Sequence, residues 1–233
     1  MLELVHVVIT QDAFRLTADF SVRAGARIAV IGPSGAGKST LLSVIAGFFP
    51  LESGRIRWGG VEITDLAPGA RPLSILFQDQ NLFPHLTVGQ NVGLGLRPDL
   101  RLSTGDRTRV TEALARTGLS GMESRKPGTL SGGQQSRVAL ARVLLRAHPL
   151  ILLDEPFSAL GPALKEEMLD LVARIAAEAG ATVMMVSHDP KDALRFAEET
   201  IVVADGRTEA PCDTKALLAN PPPALATYLG RTT

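Results

Sequence analysis

The sequence predicts an α/β fold, in which a mixed sheet core with buried parallel strands carries an antiparallel β lobe and an inserted helical lobe. Three observations predict it. Short apolar runs at residues 27–31, 150–155, 181–187 and 201–204 are separated by helical stretches, the pattern of strands covered on both faces. The first of these runs feeds a glycine-rich turn that opens onto a helix. From about Thr87 to Ala147 helix formers replace long β-branched runs, marking a mostly helical insertion.

Taken in order, residues 2–9 (Leu2 to Ile9) and 14–22 (Phe14 to Val22) read as two short strands. In the second, Phe14, Leu16, Ala18, Phe20 and Val22 alternate with more polar residues, the period of a half-buried antiparallel strand. Gly25-Ala26-Arg27 turns the chain into the strand Arg27-Ile28-Ala29-Val30-Ile31. A helix over 41–47 and a loop over 48–54 follow. Residues 55–58 form a strand in which Trp58 packs, Gly59-Gly60 a hairpin turn, and 61–63 the return strand. Another apolar run, 73–77, ends at Gln78. Inside the helical lobe Val110 and Leu114 recur at helical spacing, Pro127-Gly128 breaks the pattern, and 137–145 is a strong helix. Pro162 to Ala179 predicts a long amphipathic helix with Leu164, Met168, Leu171, Val172 and Ile175 on one stripe. Asp205-Gly206 turns out of the last strand, and the tail from Thr214 holds a short helix and the breaker Pro221-Pro222-Pro223.

Composition narrows the function classes. The 233 residues are 45% apolar, enough for a large core and too many for wholesale disorder. With 24 basic and 24 acidic residues the net charge is zero, which argues against a nucleic-acid binder held by a basic face. A single cysteine, Cys212, cannot form an internal disulfide and reads as an ordinary tail residue in a reducing compartment. The N-terminus lacks the basic-then-apolar pattern of a signal peptide, and no window approaches 18 consecutive apolar residues. Any membrane role is expected to run through a partner.

The chemistry concentrates in four places. Gly32, Pro33, Ser34, Gly35, Ala36, Gly37, Lys38, Ser39 and Thr40 fit the phosphate-loop pattern, and they lie between an apolar run and a helix, where chance glycine-rich turns have no reason to fall. Such a turn aims backbone N–H groups and the positive helix end at one point. Lys38 would reach the β/γ-phosphates, and Ser39 would give its hydroxyl to Mg²⁺. Asp154 and Glu155 end an apolar strand as paired carboxylates. The first can hold Mg²⁺ beside Ser39, usually through water, and the second is free to orient or deprotonate an attacking water. Ser131, Gly132, Gly133 and Gln134 open a helix as a second anion site, for which a lone compact domain has no use. That suggests service to another copy's nucleotide. His188 follows the run 181–187 and so falls at the ligand edge of a parallel sheet; His6, His85 and His148 lack such placement and read as ordinary residues.

The ordered set GPSGAGKST (32–40), Gln78, LSGGQ (130–134), ILLDEP (151–156) and His188 resembles the ATP-binding subunit of an ABC transporter over essentially the whole chain. The resemblance implies a P-loop NTPase fold of ABC-ATPase type, in a single ATP-binding domain over 1–233 with the helical subdomain at about 87–147 and no C-terminal regulatory domain. It implies ATP and Mg²⁺ as ligands. Lys38, Ser39 and Thr40 would be the Walker A groups, and Asp154 Walker B. Gln78 would touch Mg²⁺ and water and report to a membrane subunit. Ser131 and Gly133 would meet the γ-phosphate of the opposite protomer, Glu155 would be the catalytic base and His188 the switch residue. The segments 76–88, 91–96, 187–190 and 201–207 are similar to the ATPases of thiamine importers. The partners then expected are a second copy, a transmembrane permease and a periplasmic thiamine-binding protein, with the chain peripheral on the cytoplasmic face of the inner membrane.

Two positions depart from the family pattern. Gly161 stands where an Asp usually links the two sites of the dimer. The stretch Thr10-Gln11-Asp12-Ala13 lacks the aromatic that usually stacks on adenine, leaving Phe14 as the nearest ring. A nucleic-acid or ribosome-directed ATPase of the same family would usually carry coiled-coil insertions or two fused cassettes, which this sequence does not show. A non-hydrolytic regulatory module would leave Glu155 and His188 without a purpose.

Overall fold

The structure is a computed structural model that describes residues 1–79 and 81–229, with Ala224 lacking a described side chain. Gln80, in one segment that carries the resemblance, and residues 230–233 of the expected single domain lie outside the described residues. Strands β1 (Leu2–Gln11), β2 (Phe14–Val22) and β3 (Arg27–Ile31) lead to helix α1 (Lys38–Ala46). Next come β4 (Ser53–Trp58), β5 (Val61–Glu62), β6 (Leu73–Leu76) and helices α2 (Val88–Gly93), α3 (Thr104–Arg116) and α4 (Gly132–Leu145). They are followed by β7 (Leu150–Asp154), α5 (Pro162–Ala179), β8 (Thr182–Val186), α6 (Pro190–Phe196) and β9 (Glu199–Ala204). Short β10 (Arg207–Thr208), β11 (Cys212–Asp213), α7 (Thr214–Ala219) and α8 (Pro223–Tyr228) complete the described chain.

The sheet runs β5-β4-β1-β2-β10-β9-β3-β8-β7-β6, with β11 on β9. Strands β9, β3, β8, β7 and β6 are parallel, and β1, β2, β4 and β5 are antiparallel, so the mixed sheet is as expected. Two-residue β10 joins the halves, parallel to β2 and antiparallel to β9. The parallel register aligns Asp154 with Val186, and Val186 with Val30, so the carboxyl ends of β7, β8 and β3 finish at one edge. Ligands of such sheets bind at that edge.

Four apolar clusters hold these layers. One lies between the antiparallel lobe and α1, where Leu41, Leu42 and Ile45 meet Leu4, Leu16, Ile28 and Met184. The stripe of α5 (Met168, Leu171, Val172 and Ile175) covers the other face of the parallel strands, each large side chain contributing about 1.5–3 kcal/mol by burial. The helical lobe has its own core of Val88, Val92, Val110, Leu114 and Leu130. Helix α4 belongs to both: Ala139, Leu140 and Val143 face the sheet, while Val138, Ala141 and Leu145 face the lobe. It is apolar on two sides because it is the shared wall.

Several bounds differ from expectation for local reasons. Helix α1 begins at Lys38 rather than Leu41, and α4 at Gly132 rather than Arg137, because each glycine turn is itself the helix start. Strand β7 ends at Asp154, and Glu155 leaves it with a left-handed φ of 45°. Helix α6 was not expected; Asp189 caps Lys191 N and Pro190 occupies the first helical turn, a helix-start signal that the sequence does carry. Arg71, 4% exposed, is a buried cation paired with carbonyls. Its guanidinium donates to Val44 O, Ile45 O, Thr64 O and Leu66 O, closing the carboxyl end of α1 against the loop before β6. Burial pushes its pKa down, partly offset by Asp65.

Candidate functional site

The edge where β3, β7 and β8 finish opens on a cleft of about 300 Å³, lined by Gln11, Phe14, Ser34, Gly35, Gly37, Lys38, Ser39, Thr40 and Glu155. Residues 32–37 form its floor. Ala36 N donates to Pro33 O at 3.2 Å, and Leu41 N to Gly37 O at 2.8 Å, the latter closing the first turn of α1. Gly37 is the N-cap in the left-handed region, φ 98°, with no side-chain cap. A Cβ there would stand 2.3 Å from the Phe14 ring, so only glycine fits. Phe14 thus lies against the phosphate loop and lines the cleft beside it.

Lys38, 7% exposed, folds over the loop and donates to Gly32 O at 2.9 Å and Pro33 O at 2.8 Å. Burial lowers its pKa, against the pull of Glu155 and Asp154. Ser39 Oγ donates to Asp154 Oδ1 at 2.8 Å across 115 residues of sequence. Burial pushes the Asp154 carboxyl up; the Ser39 bond opposes this, Glu155 adds to it and Lys38 opposes it. A hydroxyl and a partly buried carboxylate in contact at a phosphate loop suit Mg²⁺, which takes one or two such oxygens and leaves its other positions to water and phosphate. The donor set fits that ion.

Glu155 Oε2 lies 3.2 Å from His188 Nδ1. The left-handed backbone of Glu155 is held by its own N–H to Val186 O (3.2 Å) and by the Ser158 hydroxyl and N–H, both donating to Glu155 O. Glu155 shares a positive φ with six other non-glycine residues of the described chain, and these three bonds fix the carboxylate's backbone at the cleft. The loop bearing His188 is clamped in turn. Ser187 Oγ donates to Asp192 Oδ2 at 2.6 Å, and Lys165 Nζ of α5 bridges Asp189 and Asp192 at 2.9 Å each. Burial works to lower the Lys165 pKa, but those two carboxylates hold it up. Lys165 and Ser158 were not singled out by sequence, since ordinary charged or hydroxyl residues near a motif carry no local mark.

The remaining expected residues stand apart from this cleft. Gln78 is exposed in the turn after β6, and among the described residues no hydrogen bond ties it to Ser39 or Asp154. Ser131, Gly132, Gly133 and Gln134 form the start of α4 and do not line the cleft. There Gln134 N donates to Ser131 Oγ at 3.3 Å and Ser131 N to Gln134 Oε1 at 3.0 Å, a reciprocal capping box. Gly133 is pressed against Leu164 of α5, whose Cδ2 would lie 2.3 Å from any Cβ. Gly161, the N-cap of α5, makes no side-chain cap and faces open space.

This edge and sheet define a class. The family model described as ABC transporter matches residues 17–158, and the chain belongs to that family. Among curated proteins, Thiamine import ATP-binding protein ThiQ of Cereibacter sphaeroides is 64% identical over 230 residues, spanning 99% of this chain and 100% of the relative. The protein of that name from Ruegeria sp. is 57% identical over the same shares. Among solved structures, the dimeric post-hydrolysis state of the ATP-binding cassette MJ0796 bound to ADP and Pi is 32% identical. It has a TM-score of 0.79 and matches 92% of this chain and 99% of its own.

Proposed function

We propose that the chain is the ATP-hydrolysing subunit of an ABC importer that energises uptake of thiamine across the inner membrane. Residues 1–233 act as one ATP-binding domain with the helical lobe inserted at about 87–147. The observation that carries this is one cleft lined by Lys38, Ser39 and Glu155, with Asp154 bonded to Ser39 and His188 beside Glu155, while the Ser131–Gln134 turn lies outside it. The solute is supported by two relatives named for thiamine import that match from end to end.

In mechanism, the phosphates of ATP lie on residues 32–37, and Lys38 exchanges its two loop carbonyls for phosphate oxygens. Ser39 and Asp154 would hold Mg²⁺, with Gln78 reaching in beside them. When bound, that ion neutralises charge developing on the phosphates. Glu155 orients and deprotonates the attacking water, and His188, 3.2 Å from Glu155, faces the γ-phosphate. A second copy arranged head to tail brings its Ser131 and Gly133 to that phosphate. The γ-phosphate then bridges two chains, and its removal lets them part.

Contact with a transmembrane permease is supported by a groove of about 200 Å³ between sheet and lobe, lined by Phe48, Ile75, Leu94, Arg142 and Arg146 among others. Phe48, 50% exposed, packs edge-on to Phe77, next to Gln78, with ring centroids 5.6 Å apart. Among the described residues no helix is long and apolar enough to cross a membrane. The chain then sits peripherally on the cytoplasmic face, and a periplasmic thiamine-binding protein supplies the solute from the other side. Glu155→Gln tests the ATPase: hydrolysis falls by at least about 10²-fold, and ATP holds the variant as a dimer by light scattering. A variant that stays monomeric with ATP sinks the mechanism. Thiamine should stimulate ATPase activity of the complex reconstituted with its permease and binding protein; stimulation by a different solute only would reassign the cargo.

A further inference from the structure

The tail of the described chain touches the catalytic edge. Tyr228, the only tyrosine of the sequence, donates its hydroxyl to the main-chain carbonyl of His188. Burial, then Glu155 and Asp189, push the phenol pKa up, so the group is a proton donor at neutral pH. Helix α8 is anchored one turn earlier by Leu225 and Ala226, 0% and 7% exposed. Leu225 belongs to a cluster with Ile31, Val202, Ala204, Leu217 and Leu218, and Tyr228 packs against it. Ile31 immediately precedes Gly32. The same apolar cluster therefore carries the strand that feeds the phosphate loop and the helix that reaches His188.

On the other flank, Lys165 holds Asp189 and Asp192. The backbone of His188 is thus pinned from α8 on one side and α5 on the other, while its side chain stays 57% exposed beside Glu155, which lines the cleft. We infer that Tyr228 is a positioning residue for ATP hydrolysis: its bond to the His188 carbonyl sets the imidazole at a fixed distance from the phosphate loop, so the C-terminal helix is a working part of the nucleotide site. This rests on the hydrolytic function proposed above.

The test is Tyr228→Phe in the full chain, which removes one oxygen and leaves the packing of α8 intact. The kcat for ATP should fall roughly five- to tenfold, the loss expected for one hydrogen bond, with KM within about twofold and Tm unchanged. In a His188→Ala background the same substitution should change the residual rate by less than about twofold, since its effect passes through His188. A wild-type kcat in Tyr228→Phe overturns the inference, as does an equal fold-loss in the His188→Ala background. So does a lowered Tm with turnover intact, which would make the bond purely structural. Wild-type protein that hydrolyses no ATP would overturn the ATPase assignment instead.

Discussion

Two helices of this chain begin on glycine-rich turns, and they begin in opposite ways. Helix α1 starts from left-handed Gly37 with no side-chain cap, and its first residue is the buried Lys38. Helix α4 starts from Ser131 with both halves of a capping box in place and no charged residue in its first turn. The first leaves its N–H groups available to an anion and adds a full positive charge. The second has already used the N–H groups of Ser131 and Gln134, and adds to its glycine N–H groups only the partial charge of the helix end, about +0.5. A phosphate can therefore be held by α1 alone. At α4 the box leaves out the N–H groups of Gly132 and Gly133, so on the dimer proposed above a phosphate brought there on another surface would meet backbone donors without a charged side chain.

The most direct way to break this contrast is Lys38→Met. Nucleotide affinity of the single chain should fall on the order of 100-fold, since a hydrogen bond to a charged group contributes about 1.5–3 kcal/mol; calorimetric titration reads it. Ser131→Ala should leave that affinity within about twofold while lowering turnover about tenfold, and cost α4 about 1 kcal/mol of cap energy. Equal loss of affinity in both variants would erase the distinction between the two turns.

Asp154→Asn sharpens the picture from the side of stability. Asp154 is held above its unfolded value of 3.8, so between the two values the folded chain binds more protons than the unfolded one. The stability this supplies is complete below 3.8 and lost as pH rises through the folded value. At neutral pH the charged carboxylate is thus a cost. Asn should raise Tm there, with the gain vanishing as pH falls into the carboxylate range, while hydrolysis is lost. A Tm gain independent of pH would contradict it. The smallest effect belongs to Gly161→Asp, which places a capping side chain in open space at the start of α5. It should add a few tenths of a kcal/mol by denaturant unfolding; it should also alter the ATPase rate, and an unchanged rate and dimer lifetime would show that position to be idle.

What the sequence makes legible follows from how local each cause is. Apolar runs such as Leu150–Leu153, the stripe of α5 and the glycine turns at 32–37 and 131–133 are written in neighbouring residues, and their elements are where the pattern puts them. The meeting of Ser39 with Asp154 could be expected from chemistry, because a hydroxyl on a phosphate loop lacks a carboxylate of its own. The left-handed backbone of Glu155 could not, since it depends on Val186 and Ser158 across a strand end. Nor could the place of Phe14 against the phosphate loop, which is fixed by the absence of a Cβ on a residue 23 positions away. The four-carbonyl seat of Arg71 joins two segments that sequence order keeps apart.

The shared wall α4 has a mechanical consequence. Near one end Arg142 and Arg146 line the groove that also holds Phe48, and Arg142 donates to Asn81 O at 2.8 Å. Ser131 stands at the other end. Fourteen residues make a rigid rod of ~21 Å, so a tilt of about 10° imposed at the arginine end swings Ser131 by ~4 Å. That travel exceeds the length of a hydrogen bond. Because the rod is seated in both cores, sheet and lobe must shift with it, and on the dimer proposed above such a shift would change how far the serine stands from a neighbour's phosphate.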